Sequence, residues 1–107
     1  MSAERMQQLK AMLAEEPADV FLRYALALEK ARSGDRAGAI GDLEGLVRSD
    51  PKHIATYYQL AQLLAAAGRN ADAGEACKAG MLQCLVQGER RTHRELQELL
   101  NTLQDEA

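Results

Sequence analysis

The chain repeats itself at a period of 34 residues, and no other feature constrains its fold as much. Residues 17–50 align with residues 51–84 without a gap. Eight positions are identical: Pro17/Pro51, Tyr24/Tyr58, Leu26/Leu60, Ala27/Ala61, Ala31/Ala65, Gly34/Gly68, Ala37/Ala71 and Ala39/Ala73. A unit this short cannot bury its own apolar face, so it has to stack on a neighbour.

The apolar spacing says what is stacked. Six stripes follow the i, i+3, i+4, i+7 rule of a one-faced helix. They are Met6, Leu9 and Leu13; Phe21, Tyr24, Ala25 and Leu28; Ile40, Leu43, Leu46 and Val47; Tyr57, Leu60, Ala61 and Leu64; Ala73, Cys77, Met81 and Cys84; and Leu96, Leu99, Leu100 and Leu103. No segment alternates apolar and polar residues over a useful length, so strands are not expected. Helices are predicted at 3–15, 18–32, 36–49, 52–67, 70–87 and 92–105.

Punctuation agrees. Pro17 and Pro51 are read as opening helices near their first turn, with Asp50 as an N-cap. Gly34 and Gly68 end helices where a left-handed residue costs least, Gly88 closes a third, and Asp35 and Asn70 start the helices that follow. Thr92 with Glu95 fits a capping box. Glycines at 38, 41, 45, 74 and 80 fall inside predicted helices, each costing up to about 1 kcal/mol against alanine. They mark either close helix contact or modest stability.

A 34-residue helical pair with glycine in its turn and proline at its join resembles the tetratricopeptide repeat. Leu26–Ala27 and Leu60–Ala61 are the large–small pairs of the first helices. Gly34–Asp35 and Gly68–Arg69 form the turns, Ala39 and Ala73 the small sites of the second helices, and Leu43 and Cys77 the apolar sites after them. The pattern departs in places. Arg23 stands where an aromatic is usual, Leu46 where a small residue is, and Gly74 where the first repeat has Ile40; no proline closes the second repeat. The resemblance implies an all-α, antiparallel helix-hairpin solenoid. Residues 1–107 are read as one domain: a capping helix at 1–16, repeats at 17–50 and 51–87, and a second capping helix at 88–107. Leu96, Leu99, Leu100 and Leu103 would face in, and Arg94, Glu95, Gln97 and Glu98 out.

Function follows by the same resemblance. Such arrays bind proteins without catalysis, as adaptors or scaffolds, with their first helices lining a concave groove. Phe21, Tyr24, Ala25, Leu28 and Arg32 would line it in the first repeat, and Ala55, Tyr58, Gln59, Gln62 and Ala66 in the second. Tyr24 and Tyr58 occupy one repeat position; they either face a partner or pack on a neighbouring helix. Some domains of this kind grip a chaperone's C-terminal carboxylate with several cationic and amide side chains. Here Arg32 and Arg23 alone are placed to contribute.

Composition bounds the rest. With 47% apolar and 27% charged residues the chain has the balance of a folded domain, not of a disordered one. A net charge of −3 argues against counterion-displacing nucleic-acid binding. No apolar run approaches the roughly 18 residues of a membrane span. The N-terminus lacks the apolar core of a secretory signal, so a cytoplasmic setting is expected. Cys77 and Cys84 are two helical turns apart, too far for a disulfide, and read as small buried residues. They and His53 and His93 lack the spacing of a zinc site; no catalytic motif, metal or cofactor is expected. The basic run Glu89–Arg90–Arg91–Thr92–His93–Arg94 is read as a solvated helix start. The alternative use of the chain is as a self-associating structural scaffold, a homodimer through the last leucine stripe, or as a subunit of a larger assembly.

Overall fold

The computed structural model describes residues 2–106; Met1 and Ala107, the ends of the domain expected over 1–107, lie outside them. Six helices run in order: α1 (Ser2–Glu15), α2 (Val20–Arg32), α3 (Arg36–Ser49), α4 (Ala55–Ala66), α5 (Asn70–Gln87) and α6 (Arg90–Asp105). No strand occurs among the described residues. The chain divides into two compact units, Met1–Asp50 and Pro51–Ala107, at the junction between the repeats. Each unit is one repeat with one flanking helix.

In the first unit α1 packs on α2 and α2 on α3. Its core is Leu9, Ala27, Ala39, Ile40, Leu43 and Leu46. In the second, α4 packs on α5 and α5 on α6, over Tyr57, Leu60, Ala61, Leu64, Ala73, Cys77, Cys84 and three leucines of α6. The repeat register is a packing register: Ala27 and Ala61, Ala39 and Ala73, and Leu43 and Cys77 are all fully buried. Small residues there let the two helices of each pair approach closely.

The turns repeat too. Gly34 and Gly68 have φ of 96° and 80°. In the first turn Asp35 N–H donates to the Lys30 carbonyl at 2.9 Å and Gly34 N–H to that of Ala31 at 3.2 Å. In the second, Arg69 N–H donates to Leu64 at 2.9 Å and Gly68 N–H to Ala65 at 3.0 Å. This paired closure requires a left-handed residue, which glycine adopts without a Cβ clash. Gly88, φ 74°, ends α5 likewise.

Three predicted starts are corrected. Pro17 lies in the turn before α2, and Asp19 caps that helix: its Oδ1 accepts from Leu22 N–H at 2.9 Å, satisfying a donor that proline cannot. Asp50 is not the cap of α4. It ends α3, and its carboxylate accepts from Ser49 Oγ at 2.7 Å and Arg23 Nη1 at 3.4 Å. Residues 51–54 form a turn, held where the Tyr57 hydroxyl donates to the Pro51 carbonyl, and α4 starts at Ala55. The Thr92–Glu95 capping box does not form. The chain turns at Gly88 straight into α6, where His93 N–H already bonds the Glu89 carbonyl at 3.3 Å, so Thr92 lies inside the helix.

Asp35 caps α3, its Oδ1 accepting from Gly38 N–H at 2.9 Å. One repeat on, Asn70 is the first residue of α5 but not its cap. The acid there has moved to Asp72, which accepts from Arg69 Nε at 3.0 Å.

Candidate functional site

Phe21, Tyr24, Ala25, Leu28 and Arg32 share one face of α2 by their i, i+3, i+4, i+7, i+11 spacing. That face is apolar and partly open. Phe21 is 73% exposed, while Tyr24, Ala25 and Leu28 are half-buried. Arg32 is exposed, and its guanidinium turns back to the Glu29 carboxylate. Glu29 itself is only 3% exposed and also accepts from Arg5 Nε of α1 at 3.0 Å. Two arginines thus compensate one buried carboxylate and tie α1 to α2. The sequence stripes passed over Glu29, because a charged residue gives no apolar signal.

The matching face of α4 belongs to the second unit. Tyr58 and Gln59 are half-buried there, and Ala55, Gln62 and Ala66 are exposed. The structure therefore brings together Phe21, Tyr24, Leu28 and Arg32 within one unit, and Tyr58, Gln59 and Gln62 within the other.

Two surface features were not foreseen. Leu82, Leu85 and Val86 are 61%, 68% and 72% exposed on the last turns of α5. A signal was present: Met81, Leu82, Cys84, Leu85 and Val86 make that end apolar all round, and one helix cannot bury every side against two neighbours. A cleft of about 240 Å³ lies beside them, lined by Cys84, Leu85, Gly88, Glu89, Arg90 and His93. A second cleft, of about 340 Å³, lies at the α1–α2 corner among Met12, Glu15, Glu16, Asp19, Phe21 and Leu22.

The last helix offers no leucine face to a copy of itself. Leu96, Leu100 and Leu103 are buried in their own unit and Leu99 is half-buried. Gly80 explains the depth: a Cβ there would lie 2.6 Å from Tyr57 Cβ and 2.8 Å from Leu96 Cδ1. Cys77 and Cys84 are buried free thiols, as read from the sequence. Burial pushes both up from the ordinary thiol range, aided at Cys84 by the Glu89 carboxylate. Among the described residues no three His, Cys, Asp or Glu side chains group as metal ligands, and no helix is long and apolar enough to cross a membrane. His53 Nδ1 lies 2.8 Å from Thr56 Oγ1 at the start of α4.

Known proteins share this architecture. The family model described as tetratricopeptide repeat matches residues 1–53. The solution structure of a tetratricopeptide repeat domain protein from Salinibacter ruber is 32% identical, covers 81% of this chain and 88% of its own, and superimposes with a TM-score of 0.78. A crystal structure of a tetratricopeptide repeat domain protein from the same organism gives 31% identity, 81% and 97% coverage, and a TM-score of 0.77. The solution structure of a Bordetella parapertussis protein is 27% identical, covers 94% of this chain and 88% of its own, and reaches 0.82. No curated protein matches the chain significantly. The in-register turns, the paired buried alanines and this similarity over most of the chain's length make it a member of the tetratricopeptide repeat family, whose domains generally mediate protein–protein interaction without catalysis.

Proposed function

We propose that the chain is a non-enzymatic adaptor that holds a peptide or a partner helix against the exposed faces of α2 and α4. The reading takes residues 17–50 and 51–87 as successive repeats of one array, acting in the cytoplasm. One observation carries it: the face of α2 keeps a phenyl ring 73% exposed beside half-buried Tyr24 and Leu28. Such a cluster adds little to a core, yet supplies area and rigid anchors to a partner. Tyr24 and Tyr58 add an aromatic ring and a hydroxyl at one repeat position in each unit. Gln59 and Gln62 offer amides to a peptide backbone.

The test is affinity capture from a lysate of the source organism, comparing wild type with Tyr24→Ala/Tyr58→Ala. A partner held by the wild type and lost by a still-folded variant supports the adaptor. If the variant loses thermal stability and capture in equal measure, the tyrosines are core residues and the groove assignment fails.

A further inference from the structure

We propose that copies of this chain associate head to tail, with Phe21 of one copy seated in the α5–α6 cleft of the next. The proposal does not depend on the groove reading; the two share Phe21 alone.

Two corners with unburied apolar side chains carry it. At the α1–α2 corner Phe21 and Met12 are exposed and flanked by Glu15 and Glu16. At the α5–α6 corner Leu82, Leu85 and Val86 are exposed; Arg90 lines the cleft beside Leu85, and Arg94 stands about one turn further along α6. A cavity of about 150 Å³ accepts a benzene ring; the α5–α6 cleft measures about 240 Å³. The cleft, open to solvent, therefore has the volume for a phenyl ring beside Leu85.

The charges are complementary and uncommitted. Glu15 and Glu16 have no ion-pair partner among the described residues, nor do Arg90 and Arg94. Within the cleft itself Glu89 balances Arg90, so the surplus positive charge of this corner comes from Arg94 on the same helix. Both groups also sit against their own helix dipoles. Glu15 and Glu16 stand at the C-terminal end of α1, where the last turn holds no basic residue. Arg90 opens α6, where the first turn holds no acidic residue and Glu89, at the N-cap, makes no side-chain capping bond. Each placement is unfavourable in isolation, since helix C-termini favour cations and N-termini anions. Bringing the acidic end of one copy to the basic end of another relieves both.

The two corners are different surfaces, so the contact is heterologous. It leaves one corner free at each end and propagates as a chain or closes as a ring.

Sedimentation equilibrium of the full chain at low salt, from micromolar to millimolar, tests this. The mean mass should climb beyond dimer with concentration and fall when salt is added. Phe21→Glu and Leu85→Glu each alter one exposed position and block opposite corners. Each variant alone should associate at least about tenfold more weakly. Mixed in equal amounts they should form a heterodimer that grows no further, because one intact corner of each remains. Glu15→Lys/Glu16→Lys should not associate with itself, but mixed with Arg90→Glu/Arg94→Glu it should grow as an alternating chain, because the swap makes both corners of each variant complementary to the other. A monomer at all concentrations overturns the proposal, as does a mixture that stays monomeric, or association that survives Leu85→Glu. Leu85→Glu leaves the faces of α2 and α4 unchanged. Loss of self-association with retained partner capture therefore separates this proposal from the adaptor reading.

Discussion

Glycines inside helices do opposite things in this molecule, and substitution to alanine should separate them. At Gly80 a Cβ would press on Tyr57 Cβ, which is fixed to its own backbone, and on Leu96 Cδ1, a side-chain end held by full burial. Gly80→Ala gains about 1 kcal/mol of helix propensity but loses more through overpacking, about 1–3 kcal/mol. Its melting temperature should fall. Gly41 faces open space, so Gly41→Ala should raise the melting temperature by the propensity gain. Glu29 invites the second test. Removing both cations with Arg5→Met/Arg32→Met leaves a buried carboxylate alone, and should cost about 3 kcal/mol by chemical denaturation. Adding Glu29→Gln should restore part of that loss. The thiols supply a pH test. A thiol whose folded pKa is raised above the ordinary 9.0 adds stability at lower pH and loses it as pH rises through the folded value. Stability should therefore fall as pH rises past the ordinary thiol range, from about pH 8 upward, and less steeply in Cys77→Ala/Cys84→Ala.

Between elements, the small residues decide how closely helices cross. Ala39 and Ala73 are fully buried at one repeat position in α3 and α5. Ala39→Leu or Ala73→Leu should each destabilise by about 1–3 kcal/mol in thermal or denaturant melts, because either leucine must push its partner helix away. Unchanged stability in both would contradict the packing register. The repeats also exchange bulk. In the second, Tyr57 packs against Gly80; in the first, the equivalent pair is Arg23 and Leu46. Arg23 carries its guanidinium out to Ser49 and Asp50, while Leu46 is fully buried. The departures at 23 and 46 are thus two halves of one compensation. Helix ends were the least legible elements. A cap is chosen by competition among neighbouring side chains, and Asp19 and Asp50 differ only in what else each carboxylate meets.

On the scale of the whole molecule, each repeat is completed by a cover helix, α1 on α2 and α6 on α5. That follows from the inability of one helical pair to bury its own face. The adaptor reading makes a prediction at this scale. If one partner engages both Tyr24 and Tyr58, either single alanine variant should weaken capture of that partner, and the losses should add in the double variant. A partner whose capture responds to one tyrosine only would mean that each serves its own unit. The candidate site was half legible. The helical face carrying Phe21, Tyr24 and Leu28 could be read from spacing, because side-chain direction along a helix is set by its pitch. At the α5–α6 corner spacing shows only that α5 ends apolar all round; that Leu82, Leu85 and Val86 are the residues left exposed depends on the neighbours of α5.

By itself the sequence determined what local physics determines: six helices, their pairing at a 34-residue period, the left-handed turn glycines and the small residues at the crossings. These depend on chain chemistry over a few turns. Only the tertiary structure decided which apolar residues stay in water, which carboxylate is buried, and why Gly80 must be glycine. Each of those depends on what another helix places opposite, and a residue's own neighbours in the chain carry no record of that.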